Sequence, residues 1–175
     1  TAAAPAAQGP GAAAVLQATG YVTARRQATV SAQITGKLTE VLIEEGEHVE
    51  AGQVLAQLES RSQRAQRAEA DAQLGEARAR VRQFESELAQ ARRDYTRQQD
   101  LVTRNLASVQ AVEAARTQVD SLAAQLAAQQ EAVQLAAAQV RSAQVQLDYT
   151  TVRAPFAGVV IAKAAQVGEI VSPLS

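Results

Sequence analysis

The chain has no cysteine, so disulfide staples and thiolate chemistry are excluded and the redox compartment is left open. Aromatic residues make up only 3% of it, too few for a core built on large rings. No proline stands between Pro10 and Pro155, which leaves a long interval where nothing forces a helix to stop. His48 has no second histidine to work with. The acids around it, Glu40, Glu44, Glu45, Glu47 and Glu50, therefore lack a metal-ligand spacing and read as a solvated hairpin surface. No nucleophile–base pair, phosphate loop or paired-carboxylate arrangement can be assembled, which argues against an enzyme and against a bound cofactor or metal. Seventeen basic residues against eighteen acidic ones, for a net charge of −1, give no electrostatic reason to expect a nucleic-acid ligand. No apolar run reaches the roughly 18 to 20 residues that span a bilayer.

What the sequence does contain is two heptad series. Leu74, Val81, Leu88, Tyr95 and Val102 fall seven apart, as do Val112, Val119, Leu126, Val133, Val140 and Leu147. Three positions on, Ala77, Phe84 and Ala91, then Ala115, Leu122, Ala136 and Ala143, complete each apolar line, interrupted by Gln98 and Gln129. Folding the chain back between Leu106 and Ser108 pairs Val102 with Val112, Tyr95 with Val119, Leu88 with Leu126, Val81 with Val133 and Leu74 with Val140, each pair summing to 214. The spacing predicts an antiparallel two-helix coiled coil over residues 61–150, its tip near 105–108. Each arm would reach about 65 Å, longer than a small domain is wide. Asn105 suits the left-handed end of the first arm, and Ser108 can cap the second.

The flanks have a different texture. Residues 1–14, with Pro5, Gly9, Pro10 and Gly11 among alanines, lack the basic and apolar parts of a signal peptide and read as a flexible linker. From residue 15 to 60, short strand-like runs through Tyr21, Thr23, Val30, Ile34, Leu38, Val41, Ile43, Val49, Val54 and Leu58 are punctuated by glycines, and residues 151–175 return to the same pattern. Laying one flank on the other matches Val30 with Val152, Ala32 with Ala154, Gly36 with Gly158, Gly46 with Gly168, Glu47 with Glu169 and Val49 with Val171, at a constant offset of 122. This predicts a β-sandwich of two similar halves, with Gly36, Gly46, Gly158 and Gly168 at turns or crowded backbone. The fold class expected is α+β, a helical hairpin inserted into a split β-domain.

Gly36-Lys37-Leu38, then the run from Glu44 to Leu55, then Ala154-Pro155-Phe156-Ala157-Gly158-Val159-Val160, resemble a biotinyl/lipoyl domain. In that family a lysine in the turn between the halves carries the cofactor. Here Leu58-Glu59 leads through Ser60 into the first helix, and the only lysines are Lys37 and Lys163. A lipoyl-like domain split there by a helical hairpin resembles the periplasmic adaptor, or membrane fusion, proteins (HlyD/MacA/AcrA-like) of bacterial tripartite efflux pumps. The resemblance covers Leu16 to Pro173.

Arg97, Leu101 and Ser108 fit the spacing Arg-x3-Leu-x6-Ser, which that family uses at the hairpin tip to engage TolC-type outer-membrane channels. Arg97 and Leu101 lie off the strict apolar line, so Leu101 is expected to be exposed for docking. The resemblance further implies a periplasmic protein of Gram-negative bacteria, anchored to the inner membrane, whose subunits stack as a homo-oligomeric, hexameric ring. Its inner-membrane partner would be an ATP-driven (ABC, MacB-type) exporter or an RND pump. The long hairpin leans toward the ATP-coupled branch, although Val167 precedes Gly168 where some of those relatives carry a glutamine. Family members continue into a β-barrel and a membrane-proximal domain, which the chain to Ser175 does not contain. The second arm, with only Glu113, Arg116, Asp120, Glu131, Arg141 and Asp148 charged amid many alanines and glutamines, suits side-by-side packing of rods. Two rivals stand beside this reading: a lipoyl- or biotinyl-like carrier domain lacking its lysine, and a passive coiled-coil scaffold.

Overall fold

The structure, a computed structural model, describes residues 26–173. The anticipated strand positions Tyr21 and Thr23 and the linker lie outside them. In chain order the elements are β1 (Gly36–Val41), β2 (His48–Val49), β3 (Val54–Leu58), α1 (Arg61–Thr103), α2 (Val109–Asp148), β4 (Thr151–Arg153), β5 (Gly158–Val159) and β6 (Ile170–Val171). One sheet runs β4-β3-β1-β6, and β2 pairs with β5 in a second. All pairings are antiparallel. The stretch 26–35, expected to contain a strand, forms none. Ala32 and Ile34 nevertheless pack into the core there.

The internal repeat proves to be a pseudo-twofold axis written into the hydrogen bonds. Gly36 pairs with Val171 and Lys37 with Ile170, while Gly158 pairs with Val49 and Val159 with His48. Each pair maps onto the other under the same offset of 122. Leu38 N–H donates to Glu169 O at 2.8 Å and Val160 N–H to Glu47 O at 3.0 Å, and Gly168 N–H to Leu38 O matches Gly46 N–H to Val160 O, both at 2.8 Å. In both turns the carboxylate of the residue immediately before the strand accepts a backbone N–H, Glu47 from Glu44 and Glu169 from Gln166.

Gly46 and Gly168 occupy those two turns at φ 87° and 94°, backbone that side chains disfavour. Gly36 and Gly158 do not stand in turns; they open β1 and β5. A Cβ on Gly36 would lie 2.9 Å from Leu58 Cδ2, so crowding fixes that glycine, whereas one on Gly158 would meet Phe156 only at ordinary distance.

The core obeys the same symmetry. Ala32, Leu38, Ala56 and Leu58 form one buried cluster with Ile34, Val41, Val152, Ala165 and Val171 against it; Val49, Leu55 and Ala154 form the other with Ile43 and Val160. Ala32 answers to Ala154, Leu38 to Val160, and Ile43 to Ala165. Strand β3 serves both clusters, Leu55 pointing to one and Leu58 to the other, which explains why it is apolar on both faces.

The rod leaves the head through adjacent strands. Since β3 and β4 pair antiparallel, with Gln57 opposite Thr151, the end of one and the start of the other lie side by side. Leu58 N–H donates to Thr150 O at 2.8 Å and Glu59 N–H to Lys37 O at 2.8 Å. Thr150 is buried at this root and its hydroxyl donates to Leu147 O. Helices of 43 and 40 residues follow, each roughly 60 to 65 Å long at the rise of an α-helix.

Their contact follows the heptad register. Leu88, Ala91 and Leu122 are buried together with Phe84, Val119, Ala123 and Leu126 packed on them, and Val81 and Val133 line one groove. The ion pairs among the described residues, Arg67–Asp71, Arg80–Glu76, Arg97–Asp94 and Arg116–Asp120, all join residues three or four apart on one helix. The two arms are thus held to each other by apolar contact.

Candidate functional site at the hairpin tip

The rod's far end is closed by two complementary caps. Helix α1 ends with Asn105 at φ 59°. Asn105 N–H donates to Val102 O at 2.9 Å and Leu106 N–H to Leu101 O at 2.8 Å. This pair of bonds is a Schellman motif, with asparagine standing in for the usual glycine because its short polar side chain tolerates the left-handed region. Arg104 N–H adds a bond to Leu101 O at 3.2 Å. Helix α2 begins at an extended Ser108 whose Oγ accepts from Ala111 N–H at 3.3 Å, removing one unsatisfied donor of the first turn. Only Arg104 to Ser108 lie between the helices, so the reversal is short and tied at both ends.

Arg97, Leu101 and Ser108 are brought to this end of the rod, but differently from one another. The Arg97 guanidinium is exposed and pairs with Asp94 Oδ1 at 3.2 Å, one turn back. Leu101, expected to be exposed, is half-buried, and its carbonyl accepts both the Arg104 and Leu106 amides. Ser108 is exposed and serves as the cap.

Sequence reasoning passed over Leu106 and Val109, which are 71% and 64% exposed. Their signal was available: both are large apolar residues beyond the ends of the two heptad lines, Leu106 after Val102 and Val109 before Val112, so neither has a seam partner.

Elsewhere, Lys37 is exposed on β1 opposite Ile170, and Lys163 lies between β5 and β6, where its N–H donates to the Glu45 carboxylate at 2.9 Å. The turn that would carry a cofactor lysine is taken up by the hairpin between β3 and β4. Among the described residues no group of three or more His, Asp or Glu side chains is placed to hold a metal ion, and no helix is long and apolar enough to cross a membrane.

Known proteins share both the head and the rod. The chain is 35% identical over 153 residues to the multidrug resistance protein MdtA of Klebsiella pneumoniae, covering 87% of this chain and 34% of that protein. It is 32% identical over 157 residues to the protein of the same name from Pectobacterium carotovorum, covering 90% and 35%. It therefore spans about a third of the length of these relatives. The crystal structure of MacA from Actinobacillus actinomycetemcomitans superposes with a TM-score of 0.74 at 25% identity, over 83% of this chain and 45% of that one. The sequence profile of the barrel-sandwich hybrid domain of RND membrane fusion proteins matches residues 26–173. With split head, inserted hairpin and profile in agreement, the chain belongs to the membrane fusion protein family of efflux adaptors, as its barrel-sandwich hybrid domain with the helical hairpin.

Proposed function

We propose that this chain is the central part of a periplasmic adaptor that joins an inner-membrane exporter to a TolC-type outer-membrane channel, with no catalytic step of its own. One observation carries the reading: a rod of about 60 Å is rooted on two paired strands of a small head and finished at its free end by a tied, capped reversal. Such a shape transmits position over distance and encloses nothing. The head sits toward the inner membrane and the tip, around Arg97, Leu101 and Ser108, meets the channel. Several copies act as a ring, six by resemblance to the family, and helix α2 favours lateral packing because it is rich in alanine and glutamine. The full-length protein is anchored to the inner membrane.

Of the two transporter classes, an RND pump is preferred over an ATP-driven exporter, because the matching profile is that of RND membrane fusion proteins. The carrier reading is disfavoured by the hairpin standing where the modified lysine would be.

The test is to crosslink the full-length protein in living cells, purify it and identify its adducts by mass spectrometry. An outer-membrane channel and an RND transporter are expected together. A lipoyl or biotin mass increment with no channel would replace this function by the carrier role, and neither outcome's adducts would leave the passive scaffold.

A further inference from the structure

Resting on the reading that several copies of this chain act as a ring, we propose that the ring is built head to tail: the outer face of the β1–β6 ladder on one head seats on the outer face of the β2–β5 ladder on the next. The partner of both faces is a second copy of the chain, held by apolar contact and by charge of opposite sign.

Inside the head the two halves match. Leu38 answers to Val160, Val49 to Val171 and Ala32 to Ala154, and all six pack in the core clusters. On the surface the match breaks. Four apolar residues of the head are more than half exposed, Val159, Ile161, Val167 and Ile170, at 58%, 72%, 64% and 72%, and all belong to the second half. The offset of 122 takes them to Lys37, Thr39, Glu45 and His48, none of them apolar. The shared fold therefore does not require apolar side chains at these places, and large ones held against water mark a surface that another protein covers.

The ladders divide these residues between two faces. Lys37 lies opposite Ile170 and His48 opposite Val159, so each ladder turns one polar and one apolar side chain outward together. Exposure alternates along the strands, Lys37 and Thr39 outside with Leu38 buried between them, Val159 and Ile161 outside with Val160 half-buried between them. The two faces are equivalent under the pseudo-twofold, and Glu47 and Glu169, which stand at equivalent places, cancel in any comparison. What differs is charge. The β1–β6 face carries Lys37, whereas Glu45 and Glu50 flank β2 where Val167 and Ser172 flank β6. None of the ion pairs among the described residues uses Lys37, Glu45 or Glu50.

This distribution selects the mode of contact. A face meeting its own copy would set Lys37 against Lys37, or carboxylates against carboxylates; unlike faces bring the cation to the carboxylates and Ile170 toward Val159. The faces belong to different sheets of one head. A pair of copies joined by unlike faces thus still offers one free face of each kind, and association continues until the rotation closes a ring.

The test uses the full-length protein, otherwise free of cysteine, in cells that also produce its transporter and channel. Ile170→Cys and Val159→Cys are joined with a short bifunctional maleimide, and multimers are read on denaturing gels. A chain carrying both substitutions is expected to give a ladder of multimers, and either substitution alone only monomer. Two singly substituted chains produced together should give a dimer and nothing larger. Added to the double variant, Lys37→Glu is expected to lower the multimer yield at least about tenfold, and Lys37→Arg to leave it within about twofold. All three side chains are exposed, so thermal melts should match the parent. Dimers from either single variant would mean that a face meets its own copy and would overturn the head-to-tail assignment, as would a ladder that Lys37→Glu leaves unchanged. If these cysteines give no multimers while a lysine-reactive crosslinker still recovers them, copies meet elsewhere and the assignment is overturned with the ring intact. If neither reagent recovers multimers, the ring is overturned as well.

Discussion

Head and rod solve the problem of stability in opposite ways. In the rod, the buried apolar residues meet partners set by a local repeat, with Leu88, Ala91 and Leu122 at the centre of the contact. The helices are thin: α2 buries only Leu122 and Ala136 among its 40 residues. In the head, β1 pairs with nearby β3, but β1 and β2 also pair with chain more than a hundred residues away, as with Gly36 and Val171 or Val49 and Gly158, and small clusters are shared between the halves. A change in the rod is therefore answered locally by fraying, whereas a change in the head is felt by both flanks.

The contrast is broken first at the cores. Leu38 is 2% exposed at the meeting of β1, β3 and β6, and Leu38→Ala should cost about 2–5 kcal/mol, unfolding the head while most helicity remains. Leu88→Ala should fall at the low end of that range, because the rod can open to water at that point. Thermal melts followed separately by helical ellipticity and by amide spectra of the head check this; equal losses in both regions from both variants would erase the distinction.

A smaller effect sharpens the head's symmetry. Gly46→Ala and Gly168→Ala meet no atoms within 4 Å, so each should cost only the left-handed backbone penalty, about 1–2 kcal/mol. The two costs should agree. Denaturant titrations giving values that differ by more than about 1 kcal/mol would mean the halves are alike in hydrogen bonding but not in strain.

At the tip, Ser108→Ala should destabilise by about 1 kcal/mol, detected as faster amide exchange at Val109 to Ala111. Smallest, and of opposite sign, is Gly75→Ala. No atom obstructs a methyl there, and the rod should gain about 0.5–1 kcal/mol, seen as a raised melting temperature for the helical signal alone.

The rod was legible in the sequence because its code is local: Leu88 and Leu126, a pair summing to 214, pack in one cluster with neighbours from both lines, and Asn105 and Ser108 take the capping roles their chemistry suggested. The head's symmetry was legible as well, since repeated residues marked repeated turns. What could not be read was strand existence in 26–35 and the place of Gly36 and Gly158, because where a strand begins depends on pairing with distant chain and carries little periodicity of its own. Leu101 was misjudged as exposed for a related reason. Position relative to a heptad line gives a side chain's direction on the helix, but not how much of it is covered near the helix's end.

The account's central claim is that reach is the function, and shortening the rod without disturbing its register tests it most directly. Deleting residues 78–91 together with their partners 123–136 removes two matched heptads and about 21 Å of length, leaving head, tip and remaining pairs in place. Drug susceptibility of cells carrying this variant of the full-length protein at normal levels is the measurement. The account predicts susceptibility equal to that of cells lacking the adaptor, with a folded head and helical rod; wild-type resistance from the shortened rod would contradict it.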